Sequence, residues 1–130
     1  MVFKMTVLVK KHPDYTDEEF HEYWSKKHAQ LFLGTANSKK CFLRYAQFHV
    51  NKKLSDELAS KAPGLEAPDY DGIGEFWANS LEDIIEYIND EEYQRVVVPD
   101  EHKFTKRDEW KILVGEYEDK FLSDIVASQR

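Results

Sequence analysis

Residues 1–11, MVFKMTVLVKK, alternate between apolar and mixed positions. Phe3, Met5, Val7 and Val9 point one way and Lys4, Thr6 and Leu8 the other, which predicts a strand. Pro13 and Asp14 break the pattern. Thr16 followed by Glu19 has the form of a capping box, in which each side chain satisfies a free amide of a first helical turn. The helical period then runs to about Leu33, and Gly34 is the expected stop. Residues 41–50, CFLRYAQFHV, return to alternation, with Leu43, Tyr45, Gln47 and His49 on one face and Phe42, Arg44, Ala46, Phe48 and Val50 on the other. Residues 51–69 are polar, carry Pro63, Gly64 and Pro68, and read as a long excursion loop. YDGIGEFWA is a third strand whose two glycines imply a twist or a close backbone approach. Ser80 and Asp83 cap a second helix, SLEDIIEYI, extending to Val97 and ended by Pro99. PDEHKF then reads as a short turn and EWKILVGEY as the fourth strand. Phe121, Leu122, Ile125 and Val126 recur at helical spacing, so the tail, residues 118–130, is expected to pack on the domain or on a partner.

The resulting order, β-α-β-β-α-β, predicts an α+β ferredoxin-like fold: a four-stranded antiparallel sheet with both helices on one side. Two helices cover only one face, yet the other carries apolar residues on at least three strands. A second copy of the chain is the economical cover, so the expected assembly is a sheet-to-sheet homodimer, a dimeric α+β barrel. The 130 residues make a single domain, 1–130. Apolar content of 42 % and aromatic content of 14 % exceed what a minimal core needs. The net charge of −7 and the lack of a basic stripe argue against nucleic acid. The single cysteine, Cys41, excludes an internal disulfide and a cysteine-based zinc site. No apolar run is long enough for a membrane span and the start lacks a signal peptide's apolar core, so a soluble cytoplasmic domain is expected.

The candidate chemistry lies on apolar faces. His21 and His28 share the first helix with Trp24 between them, about 10.5 Å apart along the axis. A histidine there either serves a pocket or sits in the core on a backbone partner. Their seven-residue separation does not suit chelation on a helix, so no metal is expected. Tyr45, Gln47 and His49 set a hydroxyl, an amide and an imidazole in one row, facing either the helices or solvent at the sheet edge. His102 and Lys103 sit at an element end, where pockets are rimmed, and Lys103 and Arg44 are the local cations for a carboxylate. Asp100 reads as a turn cap. Asp71 either orients a histidine or ends a loop. Phe76, Trp77 and Phe104 are core residues or the wall of an aromatic pocket. Loss of carbon dioxide from a β-keto or ortho-hydroxy aromatic acid leaves electrons delocalised into a carbonyl. That oxygen needs a hydrogen-bond donor and the carbon then needs a proton; tyrosine and histidine supply both near neutral pH.

The capped helix EEFHEYWSKKHAQL resembles the signature of the EthD-type family within the dimeric α+β barrel superfamily. The run YDGIGEFWANSLEDIIEYINDEEYQRVVVPDEHKF resembles a fungal branch of it, with a Tyr-Asp motif on strand three, a Ser-Leu-Glu-Asp cap and a Pro-Asp-x-x-Lys-Phe turn containing histidine. The match spans nearly the whole chain, and the departures lie in the long loop and the tail. The resemblance implies a homodimer, a pocket between sheet and helices, no metal or organic cofactor, and decarboxylation of an anthrone-type carboxylic acid in fungal polyketide metabolism. Relatives in the superfamily cyclise, dehydrate or oxygenate aromatic polyketides, and fold alone does not choose among these. The expectation is therefore a cofactor-independent decarboxylase with His28, Tyr45, His49 and His102 as catalytic residues. His21, Trp24, Arg44, Asp71, Phe76, Trp77, Lys103 and Phe104 are expected to bind the small-molecule substrate, and His28 to matter more than His21. The alternatives are a polyketide cyclase or dehydratase on the same fold, and a non-catalytic binding or dimerisation protein.

Overall fold

Four strands, β1 (Val2–Val9), β2 (Arg44–His49), β3 (Gly72–Ala78) and β4 (Lys111–Tyr117), form one antiparallel sheet in the order β2-β3-β1-β4. They belong to a computed structural model that describes residues 1–128; Gln129 and Arg130, the end of the expected tail, lie outside the described residues. The fold is ferredoxin-like α+β. Directly opposed residues of neighbouring strands share a face. Met5 faces Phe76 and Val114, and Val7 faces Gly74 and Ile112, so the buried side of β1 continues across the sheet. Tyr45, Gln47 and His49 join this side through Phe76, Gly74 and Gly72.

The first long helix spans residues 17–33 and is one rod with an irregular middle. Asp17–Tyr23 and Ala29–Leu33 are α-helical, and Trp24–His28 is a wide π turn in which the Ala29 N–H donates to the Trp24 carbonyl. The Thr16–Glu19 capping box is formed, with bonds of 3.1 and 2.9 Å. The wide turn has a packing consequence. Phe20, Trp24, His28 and Phe32, each four residues apart, are all buried. At 3.6 residues per turn such a series drifts by about 40° per step. One longer turn offsets that drift and holds the four side chains on one face.

The second layer departs from expectation at three places. Ser38–Cys41 is a helical turn, so the β2 alternation begins only at Arg44; Phe42 enters the core and Leu43 is exposed, the reverse of their expected faces. The expected loop over 51–69 contains the helix Lys52–Lys61, started by the Asn51 side chain accepting from the Leu54 N–H. Pro99 does not end the second helical region. Leu81–Ile88, capped by Ser80, stops at Asn89, and a new helix covers residues 93–104, so PDEHKF is helical rather than a turn. Tyr93–Val97 is a second wide turn, and Pro99, which has no N–H to donate, follows it at the start of the α-helical segment Val98–Phe104.

The outer face of the sheet carries Phe48, 54 % exposed, and Leu113, 64 % exposed. Trp77 lies on this face too, buried beneath the Arg44 guanidinium and the Lys4 ammonium, 4.2 and 4.7 Å from its ring. On β4 even the helix side, Ile112 and Val114, is uncovered. The tail forms a short helix, Asp124–Ser128, but Phe121 is 85 % exposed and Ile125 is exposed beside it, so the expected packing on the chain's own domain is not observed. No helix among the described residues is long and apolar enough to cross a membrane.

Candidate active site

A cavity of about 60 Å³ lies between the inner sheet face and the helices. That is several times the space one water needs. Its walls are mostly apolar: Met5, Val7, Phe32, Phe42, Phe76 and Phe104. Two glycines of β3 shape it. A Cβ at Gly72 would stand 2.4 Å from the Trp24 ring, and one at Gly74 would stand 3.1 Å from the Phe76 ring. The close backbone approach expected of this strand is thus, at Gly72, the seat of Trp24.

Among the described residues, the ionisable side chains on the cavity wall are His28, Glu101 and the tyrosines 45, 87 and 93, with no lysine or arginine. His28 is 6 % exposed. Its Nδ1 is 2.8 Å from Asp100 Oδ2, and the other carboxylate oxygen accepts from the Tyr23 hydroxyl. A carboxylate accepts, so His28 Nδ1 carries the proton and Nε2 is the ring's free nitrogen. Burial, and then the bond to Asp100, hold the Tyr23 hydroxyl far above the ordinary phenol range, so Tyr23 stays a donor. The arrangement fixes the tautomer of His28 and gives its cationic form a counter-charge.

Glu101 is buried one residue further along. The Tyr93 hydroxyl lies 2.9 and 3.0 Å from its two oxygens, and Arg107 Nε donates to Oε1 at 2.8 Å. Burial raises the Glu101 carboxyl above its ordinary range, against the opposing pull of Arg107, His28 and Tyr93. The sign follows by linkage. A carboxyl raised in the folded state contributes stability that is fully present below its unfolded value, about 4.5, and lost as pH rises through the folded value. Glu101→Gln lacks that component. The melting temperature of the variant minus that of the wild type is therefore expected to climb across this window and level off above it. A difference independent of pH would show that Glu101 titrates normally.

Tyr45 stands on the same wall, its ring stacked on Phe76 at 5.1 Å. Burial pushes its hydroxyl up to about 12, so it is a proton-bearing donor at neutral pH. Of the residues expected from sequence, His28, Tyr45, Trp24, Phe76 and Phe104 line the cavity. His49 does not. It is exposed, behind Gln47 and Trp24, paired with His21 in a surface groove. His102 and Lys103 are exposed on the outside of the 93–104 helix, with the Lys103 ammonium 5.2 Å from the Tyr23 ring. Arg44 and Trp77 are on the far side of the sheet. Asp71 accepts from the Lys11 N–H at 2.8 Å and pairs with Lys52 at 3.1 Å, so it anchors a strand end rather than a histidine.

Asp100 holds His28 rather than capping a turn, and Tyr23, Glu101 and Tyr93 lie outside the sequence expectation; for Asp100 and Glu101 the reason is that PDEHKF continues a helix instead of turning. A signal was available. Tyr93, Val97, Glu101 and Thr105, again four apart, are all buried, the same series that marks the first helix. Among the described residues no three histidine, cysteine or carboxylate side chains converge to hold a metal.

A ferredoxin-like sheet with an aromatic cavity beneath its helices, bearing a carboxylate-held histidine, defines the class. The chain belongs to the EthD domain family, whose profile matches residues 12–108. It is 27 % identical over 122 residues to a conidial pigment biosynthesis dehydratase EthD from Metarhizium robertsii, covering 88 % of this chain and 82 % of that one. An EthD family protein from Bacillus halodurans superposes with a TM-score of 0.61 at 15 % identity, covering 91 % of this chain and all of that one. A dimeric ferredoxin-like protein of unknown function from Bacteroides fragilis gives 0.59 at 13 % identity, over 89 % and 96 %.

Proposed function

We propose that this protein is a cofactor-independent lyase acting on an aromatic polyketide, with decarboxylation of a carboxylic acid as the first reading. The observation that carries it is His28, fixed by Asp100 on the wall of an aromatic cavity shared with Tyr45. The substrate's carbon–carboxylate bond breaks, carbon dioxide leaves, and the electron pair passes into a neighbouring carbonyl as an enolate. The Tyr45 hydroxyl donates to that oxygen. Protonated His28 then delivers its Nε2 proton to the carbon and recovers one from solvent. Among the described residues no lysine or arginine lines the cavity to hold the localised carboxylate. Apolar surroundings therefore raise the acid in energy more than the delocalised enolate, which favours loss of carbon dioxide.

A second reading, elimination of water, is favoured by the relative named as a dehydratase. Neutral His28 takes the proton next to the carbonyl, the enolate forms against Tyr45, and the leaving hydroxyl departs as water after protonation by His28. Incubation with candidate polyketide acids followed by mass spectrometry separates the readings. Loss of the mass of carbon dioxide supports the first and loss of water the second. A cyclised product of unchanged mass moves the assignment to a cyclase, and binding without product makes the protein a carrier.

The active form is proposed to be a homodimer joined through the outer sheet face, where Phe48 and Leu113 are uncovered. The Bacteroides fragilis neighbour is described as dimeric. Sedimentation should give a dimer at micromolar concentration; a stable monomer would contradict this assembly.

A further inference from the structure

A hydrogen-bonded line runs from the cavity wall to the surface. Gln47 Nε2 is 2.6 Å from the Tyr45 hydroxyl oxygen and 3.0 Å from the Trp24 carbonyl. Gln47 Oε1 is 2.9 Å from His49 Nε2, and His49 Nδ1 is 2.7 Å from His21 Nδ1. We infer that Gln47 is a positioning residue that aims the Tyr45 hydroxyl proton into the cavity, and that the His21–His49 pair outside holds Gln47 in that orientation. This rests on the reading of Tyr45 as the donor to the reacting oxygen.

The directions follow from what each group is able to do. The Trp24 carbonyl only accepts, so the amide nitrogen of Gln47 faces it and the amide oxygen faces His49. His49 Nε2 therefore carries a proton and donates to that oxygen. In the neutral pair His49 Nδ1 accepts and His21 Nδ1 donates. One added proton leaves this contact intact, because a single hydrogen still lies between the two Nδ1 atoms. Charging both rings sets two N–H groups against each other and breaks it. At the inner end, Gln47 donates to the Tyr45 oxygen, so the phenol's own hydrogen is not used in the line and is left for the cavity. Were the amide turned over, the phenol would donate to Gln47 Oε1 and be drawn away from the substrate.

The groove around the pair holds Asp17 one turn before His21, with Asn51, Lys52 and Lys53 from the start of the 52–61 helix. Lys52 is engaged by Asp71 and Asp69. The Phe20 and Trp24 rings pack against His21 and His49 at 5.1 and 4.8 Å. Burial, and then the His21 charge, hold His49 below the ordinary histidine range.

The test is NMR of the full-length protein with tyrosine labelled at Cζ, the Tyr45 resonance being assigned with Tyr45→Phe. In the wild type that resonance should shift as pH falls through the histidine range. The shift should shrink in Gln47→Leu, which removes the amide, and in His49→Ala, which removes the outer lock, leaving only the response to His28 and Glu101 on the same wall. Gln47→Glu should move the resonance towards the phenolate position at neutral pH, since a carboxylate makes the phenol donate to it. With an accepted substrate, Gln47→Leu should lower kcat roughly threefold to tenfold with little change in KM, and Gln47→Glu more. A Tyr45 resonance that ignores pH in the wild type, or titrates equally in Gln47→Leu, overturns the inference. The titration needs no substrate, so it fails separately from the lyase reading, which stands or falls on turnover.

Discussion

His28→Gln is expected to lower turnover by about 10²- to 10⁴-fold, the range contributed by a positioned acid–base group. Glutamine fills much of the imidazole's space and still donates to Asp100, so the dyad's packing survives. What is lost is the proton that moves. His28→Ala should lose as much activity and also some stability, because it leaves a void beside Phe104 and strips the nearly buried Asp100 carboxylate of a donor. Circular dichroism and sedimentation distinguish the two effects. A folded His28→Gln protein with near wild-type turnover would remove His28 from the chemistry.

Asp100→Asn should fall short by roughly 10²-fold or more, following the logic of a carboxylate that orients a catalytic imidazole. The asparagine amide satisfies His28 equally well with its N–H facing Nδ1. That choice forces the proton onto Nε2, the ring's other nitrogen, and the neutral ring then has no base to offer there. The loss should fall on kcat with little change in KM, in a protein that stays folded by circular dichroism. A merely structural Asp100 would lower stability and leave the turnover of the folded fraction unchanged. Tyr23→Phe, which removes only the donor on the other oxygen, should show the same loss of kcat in smaller measure.

The frame of this fold is legible in the sequence wherever burial and period coincide. β1 alternates as written, and the Thr16 and Ser80 caps stand where their partners three residues on place them. The Lys52–Lys61 helix is hard to see in the sequence because it buries no residue: its apolar pair, Leu54 and Leu58, is exposed, and a run of prolines and glycine follows closely. Pro99 misled because a proline usually stops a helix, and the wide turn before it is a tertiary adjustment that composition does not announce. The site divides the same way. His28 and Tyr45 follow from face and period. Asp100 and Glu101 required the helix to continue through Pro99. Strand alternation itself sets Arg44 opposite Tyr45, so its assignment as a carboxylate partner conflicts with the register that the sheet adopts. Sequence located the titratable groups but not their partners, because hydrogen bonds spanning more than seventy residues, such as Asp100 to His28, depend on how the helices pack.

The most direct test of the central claim is the initial rate of carbon dioxide release from an aromatic polyketide carboxylic acid at neutral pH. The rate is compared with no protein, with the wild type stripped by a chelator, and with His28→Gln. Many β-keto acids lose carbon dioxide unaided, so the rate without protein is the baseline. The account predicts a rate well above that baseline for the stripped wild-type protein and a fall back towards it for His28→Gln. Equal rates in all three, with no dehydrated product, would contradict it.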